Sequence, residues 1–315
     1  MGRGTAVAGL LACVALWGLV FVAVHELLPV MDPVQMTTTR FLAVSAVFAI
    51  LLAARPEWRP RFSRREWGLC VAAGVLAVPA TQLAIVEGQR YLSPPIASLV
   101  VTTSPAIAAV LGAAFLRERI GRVQVAGFVL ALAGVAVIVL FGAGSGADLR
   151  ASDPLKASVA VIGPTAWAVY TLVSKPIVAR HPSMTAVGVS LIAGTVALSP
   201  LVPHAVSDLG DLSAGHWGWL TYMAVGGTFA PYLLWSASLR VLEVSRTVAF
   251  MYFIPFFATV WSMLLLGSTL TVVTLLGGAI ILTGVVLTQR RARGAPPRGA
   301  PSARAARAAP RYPKS

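Results

Sequence analysis

The chain of 315 residues is 57% hydrophobic and only 11% charged, with a mean hydropathy of +0.81; soluble domains carry roughly a quarter charged residues, so this chain needs lipid to cover its surface. The formal net charge of +14 invites a nucleic-acid reading. Much of it, however, sits in an acid-free tail, RARGAPPRGAPSARAARAAPRYPKS (291–315), whose composition cannot build a core and reads as a disordered basic segment beside a membrane.

A hydrocarbon core about 30 Å thick asks for roughly 20 apolar residues per helical span. By that measure ten spans are expected, near 5–24, 33–54, 67–86, 94–116, 121–142, 155–175, 183–203, 216–236, 244–266 and 271–289. The first follows a single basic residue and runs too long for a signal-peptide core, so it reads as a mature helix. His25 and Glu26 fall in the first outer loop. Cys13 and Cys70 lie in separate apolar runs and read as small buried hydrophobes, with no disulfide framework or metal-ligand spacing. The fold class is therefore all-α integral membrane.

Orientation follows from Lys and Arg. With the N-terminus in the cytoplasm, only Arg90, Arg150 and Lys156 of the 25 basic residues fall in outer segments, and only Arg40 falls inside a span. All others gather at inner segments, as the positive-inside rule requires of ten helices with both termini cytoplasmic. A shift of 150 residues lays Trp17 on Trp167, Arg90 on Arg240, Pro105 on Pro255, Gly127 on Gly277 and Gly134 on Gly284. Each half then holds five spans, an odd number, so the second copy enters the membrane upside down. Two inverted five-helix repeats are the architecture of secondary transporters. The divisions are 1–142 and 155–290 for the repeats, an outer linker at 143–154, and the tail at 291–315.

Pro105, in SLVVTTSPAIAAVLG, and Pro255 sit near the middle of spans four and nine, where proline removes a backbone hydrogen bond and kinks a helix. Thr102 is placed to bond back to a carbonyl. The kink is either structural or the bend of a helix facing a central pathway. Arg40 lies about seven residues into span two, roughly 10 Å along the helix. It either snorkels outward or pairs with Glu87, or it attracts a substrate carboxylate or phosphate. Glu87 is a possible proton carrier, or a residue of the pathway mouth paired with Arg. Trp17, Gln82, Trp167, Tyr170, Tyr232, Trp235 and Tyr252 lie in or near the ends of five spans. They serve either packing and interfacial belts or a cavity with apolar walls and a few polar handles. Gly127, Gly134, Gly277 and Gly284 read as helix-packing residues of spans five and ten.

The stretch RYLSPPIASLVVTTSPAIAAVLGAAFLRERIGRVQVAGFVLALAGVAVIV resembles the signature half of the EamA family, in the drug/metabolite transporter superfamily. Tyr91, Ser98, Pro105, Glu118, Gln124, Gly127 and Gly134 take the places of its pattern, and LWG (16–18) and RFLA (40–43) resemble its first two helices. Glu118 has Ser268 at its repeat position, so the second half lacks the acidic mark. The resemblance implies a permease in which spans one to four and six to nine enclose the pathway and five and ten act as scaffold. It further implies export of a small amphipathic metabolite, such as an amino acid derivative or drug-like compound, by alternating access. No ATP-binding motif, cofactor or metal is expected. The partners are a small-molecule substrate and the lipid bilayer, with no nucleic acid, in a monomer or homodimer of a bacterial inner membrane. A carrier of phosphorylated or nucleotide-linked sugars is the alternative, and an intramembrane enzyme a distant one.

Overall fold

The computed structural model describes residues 3–104, 107, 111, 122–141, 154–207, 209–239, 250–267 and 272–289, and every described element is helical. Helix α1 (Arg3–Leu27) carries His25 and Glu26 in its last turn rather than in a loop. Asp32 then starts α2 (Pro33–Ala54). Its Oδ1 accepts from the Val34 and Gln35 amides at 2.7 and 2.9 Å, and the Gln35 Oε1 accepts from the Asp32 N–H at 3.1 Å. Pro33 at the first helical position loses no needed donor. Ser63 and Glu66 form the same reciprocal cap at the start of α3 (Arg64–Gly88).

Proline explains most departures from straight spans. Residues Leu76–Leu83 within α3 form a π-helical turn containing Pro79, and Thr81 Oγ1 donates to Leu76 O at 2.7 Å. Helix α4 (Pro94–Val101) closes in a turn at Thr102–Thr103, and Ser104 beyond it is helical again. After α5 (Arg122–Phe141) and α6 (Pro154–Arg180), helix α7 (Ser183–Ala197) meets α8 (Val202–Val206) at a 51° bend across a turn holding Pro200. The expected span 183–203 is therefore broken. Helix α9 (Ala214–Ala224) passes through a second π turn, Val225–Phe229, into α10 (Ala230–Leu239). A 3₁₀ turn, Phe250–Phe253, precedes α11 (Ile254–Leu266), and α12 (Val272–Gln289) follows. Pro255 stands in the first turn of α11, not within an unbroken helix.

Helix starts recur at one interval: Pro33 and Ser183, Arg64 and Ala214, and Arg122 and Val272 each lie 150 residues apart. Among the described residues three helices are long and apolar enough to cross a bilayer, Gly4–Leu27, Pro33–Ala54 and Arg64–Gly88, and α7 with α8 makes a fourth when taken as one bent span. Leu264, Val272 and Ile50 are about two-thirds exposed, a surface suited to lipid rather than water.

Without a hydrophobic drive between helices in lipid, close backbone approach supplies the packing. Helix α3 crosses α7 where Gly74 meets Gly194, and a Cβ on either residue would run into the other helix's backbone. Helix α5 packs most extensively on α12, with Gly127, Gly134, Gly277 and Gly284 all buried. A Cβ on Gly134 would lie 2.8 Å from the Ile281 amide. The glycines of expected spans five and ten thus pack those helices together.

Candidate functional site

Among the described residues the deepest charge is Arg40, only 4% exposed. The π turn between α9 and α10 meets it. Arg40 Nε donates to Thr228 Oγ1 at 2.6 Å and Nη2 to the Gly227 carbonyl at 3.3 Å, while Nη1 donates to Gln82 Oε1 of α3 at 3.4 Å. The Thr228 hydroxyl passes its own proton to Met223 O at 3.0 Å, which leaves its oxygen free to accept from Arg40. An i→i+5 turn relaxes the regular backbone ladder at this point, and such turns concentrate at functional sites. Tyr222 and Tyr232 also lie within electrostatic reach of the guanidinium. Arg40 therefore neither snorkels outward nor pairs with Glu87. Glu87 instead faces Arg90, Oε2 to Nε at 3.2 Å, and accepts from the Tyr91 hydroxyl at 3.4 Å.

The aromatic residues form a linked set that reaches this arginine through Tyr232. Trp17 of α1 packs at a tilt 5.3 Å from Trp235 and meets Tyr232 edge-on at 6.4 Å, and Trp167 lies 5.0 Å from Tyr170 on α6. Trp17, Trp167, Trp235 and Tyr252 pack against one apolar cluster that includes Ile96, Val100 and Met251. Tyr170 and Tyr232 are buried in the next cluster with Phe41 and Phe48, and Trp167 touches both. Thr102 is fully buried and its hydroxyl donates to Leu99 O at 2.6 Å. Ser98, Thr103 and Ser104 likewise donate to the carbonyls three residues back. These hydroxyl protons satisfy the end of α4. Pro255 is buried at the start of α11. Pro105, Glu118 and Ser268 lie outside the described residues.

Two polar links lie beyond opposite ends of α2. At its start, Asp32 Oδ2 meets His204 Nε2 at 2.6 Å, and Thr39 Oγ1 donates to Ala205 O at 3.2 Å. Burial pushes the Asp32 carboxyl up, but the Gln35 amide, the His204 imidazole and the Val34 amide together hold it below the usual carboxylate range. Past its other end, Thr185 Oγ1 donates to Trp58 O at 3.0 Å, and Glu66 Oε1 meets His181 at 3.1 Å and Arg180 at 3.6 Å. Midway, Ser45 Oγ and Thr195 Oγ1 are 2.7 Å apart. Sequence reading missed Thr228, Gly227 and this hydroxyl pair. The Gly226–Gly227 doublet inside a span, and two hydroxyl residues at the 150-residue interval, were signals that could have found them.

The model of the EamA-like transporter family matches residues 4–140 and 155–290. The chain belongs to the EamA-like transporter family. It is thus a multi-pass membrane protein, of a family of transporters rather than enzymes. This EamA-like chain is 28% identical to an uncharacterized transporter of Archaeoglobus fulgidus, over 88% of this chain and 96% of that one. It is 27% identical to a protein of Streptantibioticus cattleyicolor named "Probable terminal-alkyne amino-acid exporter", over 93% and 96% of the two chains. A Salmonella typhimurium protein named "Probable amino-acid metabolite efflux pump" shares 29% identity, over 88% and 92%. One solved crystal structure has the same fold, with a TM-score of 0.63 at 18% identity, covering 91% of this chain and 96% of that one.

Proposed function

We propose that this EamA-like protein is a secondary carrier that exports a small amphipathic metabolite, an amino acid derivative or drug-like compound, by alternating access. The observation that carries this reading is the gathering of Trp17, Trp167, Trp235 and Tyr252 on one apolar cluster, with Trp17 edge-on to Tyr232, which interacts electrostatically with the buried Arg40. These residues come from distant parts of the sequence, and apolar walls with few polar handles suit such a cargo. Export, rather than import, rests on the names of the Streptantibioticus and Salmonella relatives.

The proposed architecture is ten spans in two inverted five-helix repeats, 1–142 and 155–290, joined by the outer linker 143–154. The basic tail 291–315 and the N-terminus lie in the cytoplasm, and the protein sits in a bacterial inner membrane. The 150-residue interval between helix starts supports it. So does the Ser45–Thr195 contact, because residues at equivalent repeat positions touch only where a pseudo-two-fold axis passes between them. Contacts at the two ends of α2 also segregate as the alternation requires: Asp32 with His204, and Trp58 with Thr185.

Purified protein in proteoliposomes, given radiolabelled amino acids and cationic drugs with and without an imposed pH gradient, tests the reading. Movement of at least one compound above empty vesicles is expected. If that movement follows the gradient and Glu87→Gln abolishes the dependence, Glu87 carries the coupling proton. No movement of any compound under either condition would defeat the carrier reading.

A further inference from the structure

Arg40 is the one buried charged side chain among the described residues, and each of its hydrogen-bond partners is neutral. A guanidinium has five N–H donors. Nε, Nη1 and Nη2 each spend one, on Thr228, Gln82 and Gly227, which leaves two donors without an acceptor among the described residues. Burying a cation costs several kcal/mol unless an anion offsets it, and such residues inside membranes mark substrate paths. A second unspent group lies close by. The Tyr232 hydroxyl, on a side chain 6% exposed, has no hydrogen-bond partner among the described residues and interacts electrostatically with Arg40. Tyr222, the other tyrosine near Arg40, has already given its proton to Leu16 O at 2.6 Å.

We infer that Arg40 and Tyr232 together form a binding point for a single carboxylate of the transported molecule, the guanidinium donating its two free N–H groups and the tyrosine its O–H. One uncompensated positive charge matches one negative charge. A phosphate, carrying about −1.5 to −2 at neutral pH, would need a second cation, and Arg40 has no buried cationic neighbour among the described residues. The planar fork of arginine fits a carboxylate edge in a way lysine cannot. Trp17, in edge-on contact with Tyr232 and packed at a tilt against Trp235, sets an apolar wall beside that point. The cargo is therefore an aromatic or aliphatic monocarboxylate or zwitterion, not a cationic drug. This inference rests on the carrier reading and narrows it.

The test compares L-phenylalanine, L-phenylalaninamide and phenyl phosphate, both as transported or competing solutes in proteoliposomes and as ligands raising the Tm of the purified protein. A charge-assisted pair lost from a buried site weakens binding roughly tenfold or more. Wild type is expected to favour phenylalanine over its amide by at least that factor and to ignore phenyl phosphate. Arg40→Gln is expected to erase the difference by lowering phenylalanine alone, and Arg40→Lys to fall between. Tyr232→Phe removes only an unpartnered hydroxyl, so it folds as well as wild type whatever becomes of the arginine variants, and it weakens phenylalanine several-fold while leaving the amide unchanged. Equal handling of acid and amide by wild type, equal loss of both in Arg40→Gln, an unaltered Tyr232→Phe, or tighter binding of phenyl phosphate would each overturn the site. If nothing moves but phenylalanine alone raises the Tm, and Arg40→Gln or Tyr232→Phe abolishes that shift, the site stands and the carrier reading falls. Neither movement nor shift overturns both.

Discussion

Replacing Gly74 by alanine puts one methyl group at the crossing of α3 and α7. An ideal Cβ there would lie 2.6 Å from the Gly194 amide nitrogen and closer still to the Ser190 carbonyl oxygen. Unstrained contacts between such atoms need about 3.5 Å, so the helices must part by roughly 1 Å. Overpacking of this kind costs about 1–3 kcal/mol, while alanine regains up to about 1 kcal/mol of helix propensity. Strain wins, because the atoms the methyl would meet, in Ser190 and Gly194, are backbone atoms that cannot rotate away. The net loss is about 1–2 kcal/mol, which at roughly 2–4 °C per kcal/mol lowers the Tm by about 2–8 °C. Gly68, on the same helix, has nothing within 4 Å of its ideal Cβ, so Gly68→Ala keeps the propensity gain without the clash. Thermal unfolding in mild detergent, followed by tryptophan fluorescence, compares the two. A Gly74→Ala protein as stable as Gly68→Ala would refute the close crossing.

Asp32→Ala removes the cap of α2 and its His204 partner, with an expected loss of about 1 kcal/mol, whereas Asp32→Asn keeps the cap. Because the folded carboxyl lies below its ordinary value, its contribution is complete above about pH 4 and fades as the pH falls through the folded value. Below about pH 4 the wild-type Tm therefore falls more steeply than that of Asp32→Asn. Thr228→Val takes the acceptor from Arg40 Nε and leaves a charged donor unpaired, which costs about 1–3 kcal/mol and is read as a Tm drop larger than that of Thr283→Val, whose exposed hydroxyl bonds to the Ala279 carbonyl of its own helix. Ser45→Cys with Thr195→Cys joins two positions whose hydroxyl oxygens are 2.7 Å apart, so mild oxidation is expected to form an intramolecular disulfide visible by peptide mass spectrometry. Its absence would count against the axis.

Much of the frame was legible because lipid imposes simple rules. The start of α2 follows from Asp32-Pro33 and that of α3 from Ser63 with Glu66 three residues on, both local cap chemistry. Arg40 stood out as a lone charge in an apolar run. Its partners were not legible: Thr228 and Gly227 are 188 and 187 residues away, and neither carries a charge that would announce a pairing. The Glu87 alternative failed for a local reason, since Arg90, three residues along, already pairs with it at 3.2 Å. The π turns were also hidden. They keep the apolar pattern of a helix while Pro79 withholds one N–H and the Thr81 and Thr228 hydroxyls take carbonyls five residues back. The bend between α7 and α8 was readable in hindsight from Pro200 and Pro203, whose rings fit badly inside a continuous helix.

The most direct measurement is solute counterflow. Proteoliposomes preloaded with millimolar unlabelled L-phenylalanine are diluted into a trace of the labelled compound with no ion gradient. A carrier whose two halves rock about one site is expected to draw label inward above its outside concentration, transiently, as unlabelled molecules leave. Label that only equilibrates at the same rate in loaded and empty-loaded vesicles would mean a channel or a leak, and would contradict alternating access.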